Sequence, residues 1–191
     1  NWKYESHFET FHECPELFEL PIDGDTNKTK WVTYGASGYY TIGSFDGKIF
    51  TPEFGQFRYV DGEFYAAQTY ENIPSEDGRQ IQIGWATIET PDMPFNMMMG
   101  FPTELTLRET ANGIRLFNEP ISEIEILHKN VRKYKNLTWK ETNEKLKEHY
   151  PDMLHLKMIL EPISAGTFNL RIGSDYLGYE WYNNKFNYNE R

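Results

Sequence analysis

The chain has 191 residues with 39% hydrophobic and 16% aromatic content and a formal charge of −10, enough apolar surface for a packed core. That acidity excludes a nucleic-acid partner, because phosphate backbones are held by Lys and Arg that neutralise charge and release counterions. No apolar run reaches the roughly 20 residues that span a bilayer, and a single cysteine, Cys14, rules out an internal disulfide.

The first informative stretch is FHECPELFELP, Phe11 to Pro21, which sets Glu13 in a short turn-like segment just ahead of a strand. From Leu17 to about Phe117, short runs rich in Tyr, Phe, Trp, Ile and Thr alternate with Asp-Gly, Ser-Gly and Pro breaks. This pattern predicts an all-β meander with strands at Trp31 to Gly35, Tyr39 to Phe45, Phe64 to Tyr70, Ile81 to Ile88 and Glu104 to Arg108. Asp46-Gly47 and Asp61-Gly62 read as hairpin turns. Strand spacing alone fits propeller blades and a sandwich equally.

After Pro120 the organisation changes. Ile121 to Tyr134 reads as a linking segment, and Thr138 with Glu141 forms a Thr-x-x-Glu capping box for a short helix that ends before Pro151. Trp139, Leu146 and Tyr150 share one face of it. Leu154, Leu156, Met158 and Leu160 then alternate with polar residues, which predicts a half-buried strand. Phe168, Leu170 and Ile172 repeat the alternation after Ala165-Gly166, and Tyr176 to Tyr182 gives a further strand.

Among groups able to carry chemistry, Cys14 adjoins His12 and Glu13, but neighbours on an extended chain point opposite ways, so a Cys–His nucleophile is excluded and Cys14 reads as a packed residue. His7, His12, His128, His149 and His155 show no ligand spacing, so no metal and no cofactor is expected. Read alone, Glu13 is a solvated loop carboxylate, Glu5, Glu16 and Glu19 are surface or strand-edge residues, and Asp46 belongs to a turn.

The segments FHECPELFELP, KWVTYGASGYYTIGSFDG from Lys30, FYAAQTYENIPSEDGRQIQIGWA from Phe64 and MPFNMMMGFPTELTLR from Met93 together resemble glycoside hydrolase family 32. The likeness runs over roughly two thirds of the chain. The levanases, inulinases and invertases of that family hydrolyse β-fructosidic bonds. The resemblance implies a five-bladed β-propeller followed by a β-sandwich. On that expectation residues 1–120 are the C-terminal part of the propeller, about two blades. Residues 121–150 are then a linker with the short helix, and 151–191 the start of the sandwich.

The resemblance also implies Glu13 as general acid/base. Retaining glycosidases use a second carboxylate about 5 Å away as nucleophile. In the family that Asp sits in a Trp-Met-Asn-Asp-Pro type motif, and another follows an Arg in Arg-Asp-Pro; neither motif occurs in this sequence. The expectation is therefore a partial chain, inactive by itself and partnered by the missing N-terminal part of the same protein. Glu13 is expected to sit partly buried against aromatics, which keeps an acid protonated.

Tyr65 and Trp85 lie in the FYAAQT and IGW motifs that in the family contribute to the substrate funnel; by composition they are equally core aromatics. Gln68 is a lesser candidate, and Met97, Met98 and Met99 are expected to pack beneath the funnel. A fructan or sucrose-type carbohydrate is the implied partner, met in a secreted or periplasmic setting. The alternative is a non-catalytic carbohydrate-binding protein on the same fold, with an unrelated all-β binding module a more distant one.

Overall fold

The computed structural model describes residues 3–4, 7, 11–60, 62–148, 154–173 and 175–188, and the chain divides into two compact units, Asn1–Lys129 and Asn130–Arg191. Glu5, Asp61, His149, Tyr150 and Pro151, all named above, lie outside the described residues.

The first unit opens with four strands in sequence: β1 (Glu16–Ile22), β2 (Asp25–Tyr34), β3 (Tyr39–Phe45) and β4 (Phe50–Arg58), each antiparallel to the next. Alternation drives β1, where Phe18 and Leu20 point into the core while Leu17 and Glu19 face out. Asp23 and Gly24 both take left-handed backbone conformations between β1 and β2, the geometry of a two-residue turn whose twist matches the strands. Between β3 and β4 the Asp46 carboxylate accepts the N–H groups of Lys48 and Ile49 at 2.8 and 2.7 Å, which holds the predicted turn closed and lowers the Asp46 pKa.

A second antiparallel series follows: β5 (Phe64–Thr69), β6 (Gln80–Ala86), the short β7 (Met98–Met99), β8 (Thr103–Thr110) and β9 (Gly113–Pro120). β6 pairs with β5 on one side and with β7 and β8 on the other, and β9 closes the outside of β8. The two series meet where β1 runs parallel to β8 at Ile22 and Leu107, with the Asp23 N–H donating to the Leu107 carbonyl at 2.9 Å.

They also share one core. Phe18, Leu20, Val32, Tyr34, Tyr40 and Ile42 from the first series pack with Ala67, Leu105, Leu107 and Leu116 from the second. Burying each large aliphatic side chain contributes about 1.5–3 kcal/mol, which makes this shared layer the main stabilising term of the unit. Tyr40 adds a polar tie, its hydroxyl accepting the Leu116 N–H at 3.1 Å.

The second unit holds the helix α1 (Trp139–Glu148) and a three-stranded antiparallel sheet of β10 (Thr167–Ile172), β11 (Asp175–Glu180) and β12 (Lys185–Tyr188). The capping box forms as predicted: the Thr138 N–H and hydroxyl both donate to the Glu141 carboxylate, at 2.8 and 2.7 Å. Trp139 stacks on Phe168 with ring centroids 5.1 Å apart, and Trp181 meets Phe168 edge-on. One expectation fails here. The alternating stretch Leu154 to Leu160 belongs to no ladder among the described residues, and Ile159 is 87% exposed. Alternation makes a strand only where a partner backbone takes up its N–H and C=O groups.

After β9, a 3-10 turn over Ser122–Leu127 closes the first unit. Arg79 clamps it from the β5–β6 connection, binding Asp77 at 2.6 Å and Glu123 at 2.8 Å. That guanidinium holds the Glu123 carboxyl down at about 2.

Candidate active site

Glu13 stands two residues before Pro15, on the segment that leads into β1. Cys14 takes a left-handed conformation, φ 50°, so the chain kinks between Glu13 and the strand. The kink is anchored by the backbone: the Ala36 N–H donates to the Glu13 carbonyl at 3.0 Å, and the Ala36 carbonyl in turn accepts the Ala66 N–H at 3.1 Å. Gly35 permits this approach, because a Cβ there would lie 3.2 Å from Phe11 and 3.4 Å from the Glu13 carbonyl oxygen.

The structure brings the three predicted site residues together. The Tyr65 hydroxyl donates a hydrogen bond to Glu13 Oε1. Trp85 is the direct cross-strand partner of Tyr65 between β5 and β6, with ring centroids 6.5 Å apart at 67°. Residues directly opposite in an antiparallel pair share a face of the sheet, so carboxyl, phenol and indole form one continuous row. The hydrogen bond to Glu13 is the main cause that holds the Tyr65 phenol above its ordinary value.

The environment of Glu13 differs from expectation. Its side chain is exposed rather than partly buried among aromatics. Trp85 is 38% exposed, so neither is it a core aromatic. A hollow of about 320 Å³ lies close by in the chain, lined by Phe11, Pro15, Leu17, Thr33 and Phe50 among others, and Glu13 is not part of its lining. Glu13 and Trp85 are thus the exposed ends of the row, with the half-buried Tyr65 between them. Met98 and Met99 do not pack beneath the row: Met99 is the cross-strand neighbour of Trp85, and both methionines are about half exposed, at 47% and 53%.

Glu16 is a residue that sequence reasoning missed. It is half-buried, not a surface carboxylate, and it accepts two hydrogen bonds from Thr69 on β5: from the N–H at 3.0 Å and from the hydroxyl at 2.8 Å. No short motif places Thr69 opposite Glu16; 53 residues separate them.

Behind the row, Gln82 is wholly buried and donates to the Tyr59 hydroxyl at 3.0 Å, with the Tyr34 ring 5.7 Å from that of Tyr59. Burial pushes the Tyr59 phenol up to about 12 and the Tyr34 phenol further in the same direction.

The other candidates stay apart from the row. The Gln68 amide donates to the Ala67 carbonyl at 2.9 Å. His12 is exposed, and Cys14 is half-buried and free of disulfide bonding. No group of three or more His, Cys, Asp or Glu able to hold a metal ion occurs among the described residues. No helix among them is long and apolar enough to cross a membrane.

Comparison with known proteins places the chain in a family. Residues 1–120 match the model of the glycosyl hydrolases family 32 N-terminal domain. The chain is 34% identical to a levanase of Bacillus subtilis (strain 168) over 66% of its own length and 21% of that protein. It is 38% identical to an extracellular exo-inulinase of Meyerozyma guilliermondii over 46% of its length and 20% of the relative. A crystal structure of exo-inulinase from Aspergillus awamori overlaps 56% of this chain and 25% of its own, with a TM-score of 0.47 and 27% identity. The chain spans about a fifth of the length of the two curated relatives. The match over residues 1–120 shows that the chain belongs to glycosyl hydrolases family 32.

Proposed function

We propose that this chain is part of a retaining glycoside hydrolase that cleaves β-fructosidic bonds in fructans or sucrose, with Glu13 as its general acid/base. The observation that carries the reading is the row in which Glu13, Tyr65 and Trp85 meet on one face. In this reading each of the two antiparallel series in the first unit is a propeller blade, with β1 and β5 innermost, and the second unit is the opening of a β-sandwich. A row with exposed ends in these two blades then faces the central funnel that the remaining blades enclose.

The chemistry follows from the groups at hand. The Glu13 carboxylic acid donates its proton to the glycosidic oxygen as the bond to the anomeric carbon breaks, and the resulting carboxylate later takes a proton from the attacking water. The Tyr65 hydroxyl, donating to Oε1, fixes the rotamer of the carboxyl and leaves Oε2 for the substrate. Trp85 offers a flat apolar face for the C–H side of a sugar ring. The covalent step needs a second carboxylate, and the Asn-Asp-Pro motif that carries it in the family is absent from these residues, as is the Arg-Asp-Pro motif with its further Asp. The 191-residue chain alone is therefore inactive, and activity belongs to the longer protein. A secreted or periplasmic setting accords with relatives described as extracellular.

The test is fructose release from levan, inulin and sucrose by the longer protein that carries this chain, before and after Glu13→Gln. Loss of a general acid/base lowers the rate by about 10²–10⁴-fold. Full activity in the variant rejects the assignment, and fructose release by the isolated 191 residues rejects the incomplete-site reading.

A further inference from the structure

We propose that Glu16 is a positioning residue for Glu13: its carboxylate, clasped by Thr69, sets the register that lets Tyr65 reach the catalytic carboxyl. The inference rests on the reading of Glu13 as acid/base and adds to it a residue whose role is to hold, not to react.

Two carboxylates three residues apart on one segment meet two hydroxyl residues four apart on β5: Glu13 takes Tyr65 and Glu16 takes Thr69. On a regular strand, residues i and i+3 point to opposite faces and cannot both turn toward one neighbour. The left-handed Cys14 breaks the alternation on the first segment, and on β5 a left-handed Ala66 and a register shift between Tyr65 and Gln68 insert one extra residue, so that Tyr65 and Thr69 pair with Trp85 and Gln82 and span three ladder positions, the spacing of Glu13 and Glu16. The two irregularities match, and the match is held at one end only by an exposed phenol–carboxylate contact. The other end is stronger. Glu16 is half-buried and accepts from both the N–H and the hydroxyl of a single residue, a charge-assisted pair of bonds with fixed direction. Between them, the Ala66 N–H to Ala36 carbonyl and Ala36 N–H to Glu13 carbonyl bonds complete a closed circuit from β5 back to Glu13. A carboxylate that served only solubility has no reason to lose water for two donors on another strand.

The experiment has two readouts. In the 191-residue chain, the ring-carbon NMR titration of Tyr65 reports its contact with Glu13 without any need for activity. Glu13→Gln, Glu16→Ala and Thr69→Val each move its midpoint down toward that of a free tyrosine, while Thr69→Ser, which keeps the hydroxyl, leaves it where it is in the parent. In the longer protein, Glu16→Ala lowers kcat on a fructoside by about 10–100-fold, the loss expected for a misplaced reacting group, with KM nearly unchanged. Thr69→Ser restores what Thr69→Val removes. A Tyr65 midpoint that moves with Glu13→Gln but not with Glu16→Ala or Thr69→Val overturns the positioning role alone. A midpoint that ignores Glu13→Gln overturns the contact itself and with it this role, while the assignment of Glu13 is decided separately by fructose release from the Glu13→Gln variant.

Discussion

In Asn1–Lys129 the side chains of Val32, Tyr34, Ile42, Leu105 and Leu107 are no more than 1% exposed, whereas in Asn130–Arg191 Phe168 is the one buried hydrophobic side chain among the described residues. The first unit closes two strand series over a shared layer of aliphatic and tyrosine side chains, so its rim is free to carry an exposed carboxylate and an indole without loss of order. The second unit has no such layer. It is organised by ring contacts, Trp139 on Phe168 and Trp181 against both Phe168 and Tyr179, and by a capped helix with no buried residue. A dense core supports an exposed carboxylate and indole on its rim; stacked rings and a cap support only local geometry.

The contrast is broken most forcefully from within the core. Ile42→Ala should destabilise the first unit by about 2–5 kcal/mol, because the cavity adds to the lost transfer energy in a layer this tightly packed. Chemical denaturation followed by tryptophan fluorescence measures it, and a loss below ~1 kcal/mol would mean the shared layer is less compact than described. In the second unit Thr138→Ala removes the cap and should cost about 1 kcal/mol of helix stability, read as lost helical signal between residues 139 and 148.

The smallest effect is one of pH. The folded pKa of Glu123 is depressed to about 2 by Arg79, below its unfolded value near 4.3, so its stabilising contribution is present above that unfolded value and is lost as pH falls toward 2. Wild-type melting temperature should fall across that window more steeply than that of Glu123→Gln. Parallel curves would show that the Arg79 clamp does not bear on folding.

What the sequence made legible follows the same division. Strand β3 matches its predicted span, and β5, β6 and β8 differ from theirs by no more than two residues at an end, because alternation and Gly breaks coincide there with real ladder partners. β4 escaped notice since Pro52 and Gly55 argue against a strand; it lies at one end of the sheet order, where a missing N–H costs little. The Asp23-Gly24 turn between β1 and β2 carries its signal in residue type, Asp followed by Gly. The stretch Leu154 to Leu160 carries the strand pattern without the partner that pattern presupposes.

At the site, motif recognition sufficed to gather Glu13, Tyr65 and Trp85, yet it carried no information on exposure, which depends on what the rest of a fold places over a rim. Glu16 was unreadable for a different reason. Its partner is fixed by two backbone irregularities, at Cys14 and Ala66, and neither is written in residue type, since both are non-glycine residues at positive φ.

The most direct test of Glu13 as proton donor compares leaving groups in the longer protein. Glu13→Gln should lose most of its kcat/KM, which reports the bond-breaking step before water is activated, on inulin or levan, whose departing alkoxide needs a proton, and lose far less kcat/KM on fructosyl fluoride, whose fluoride departs without one. Equal losses on both substrates, or none on either, would contradict the account.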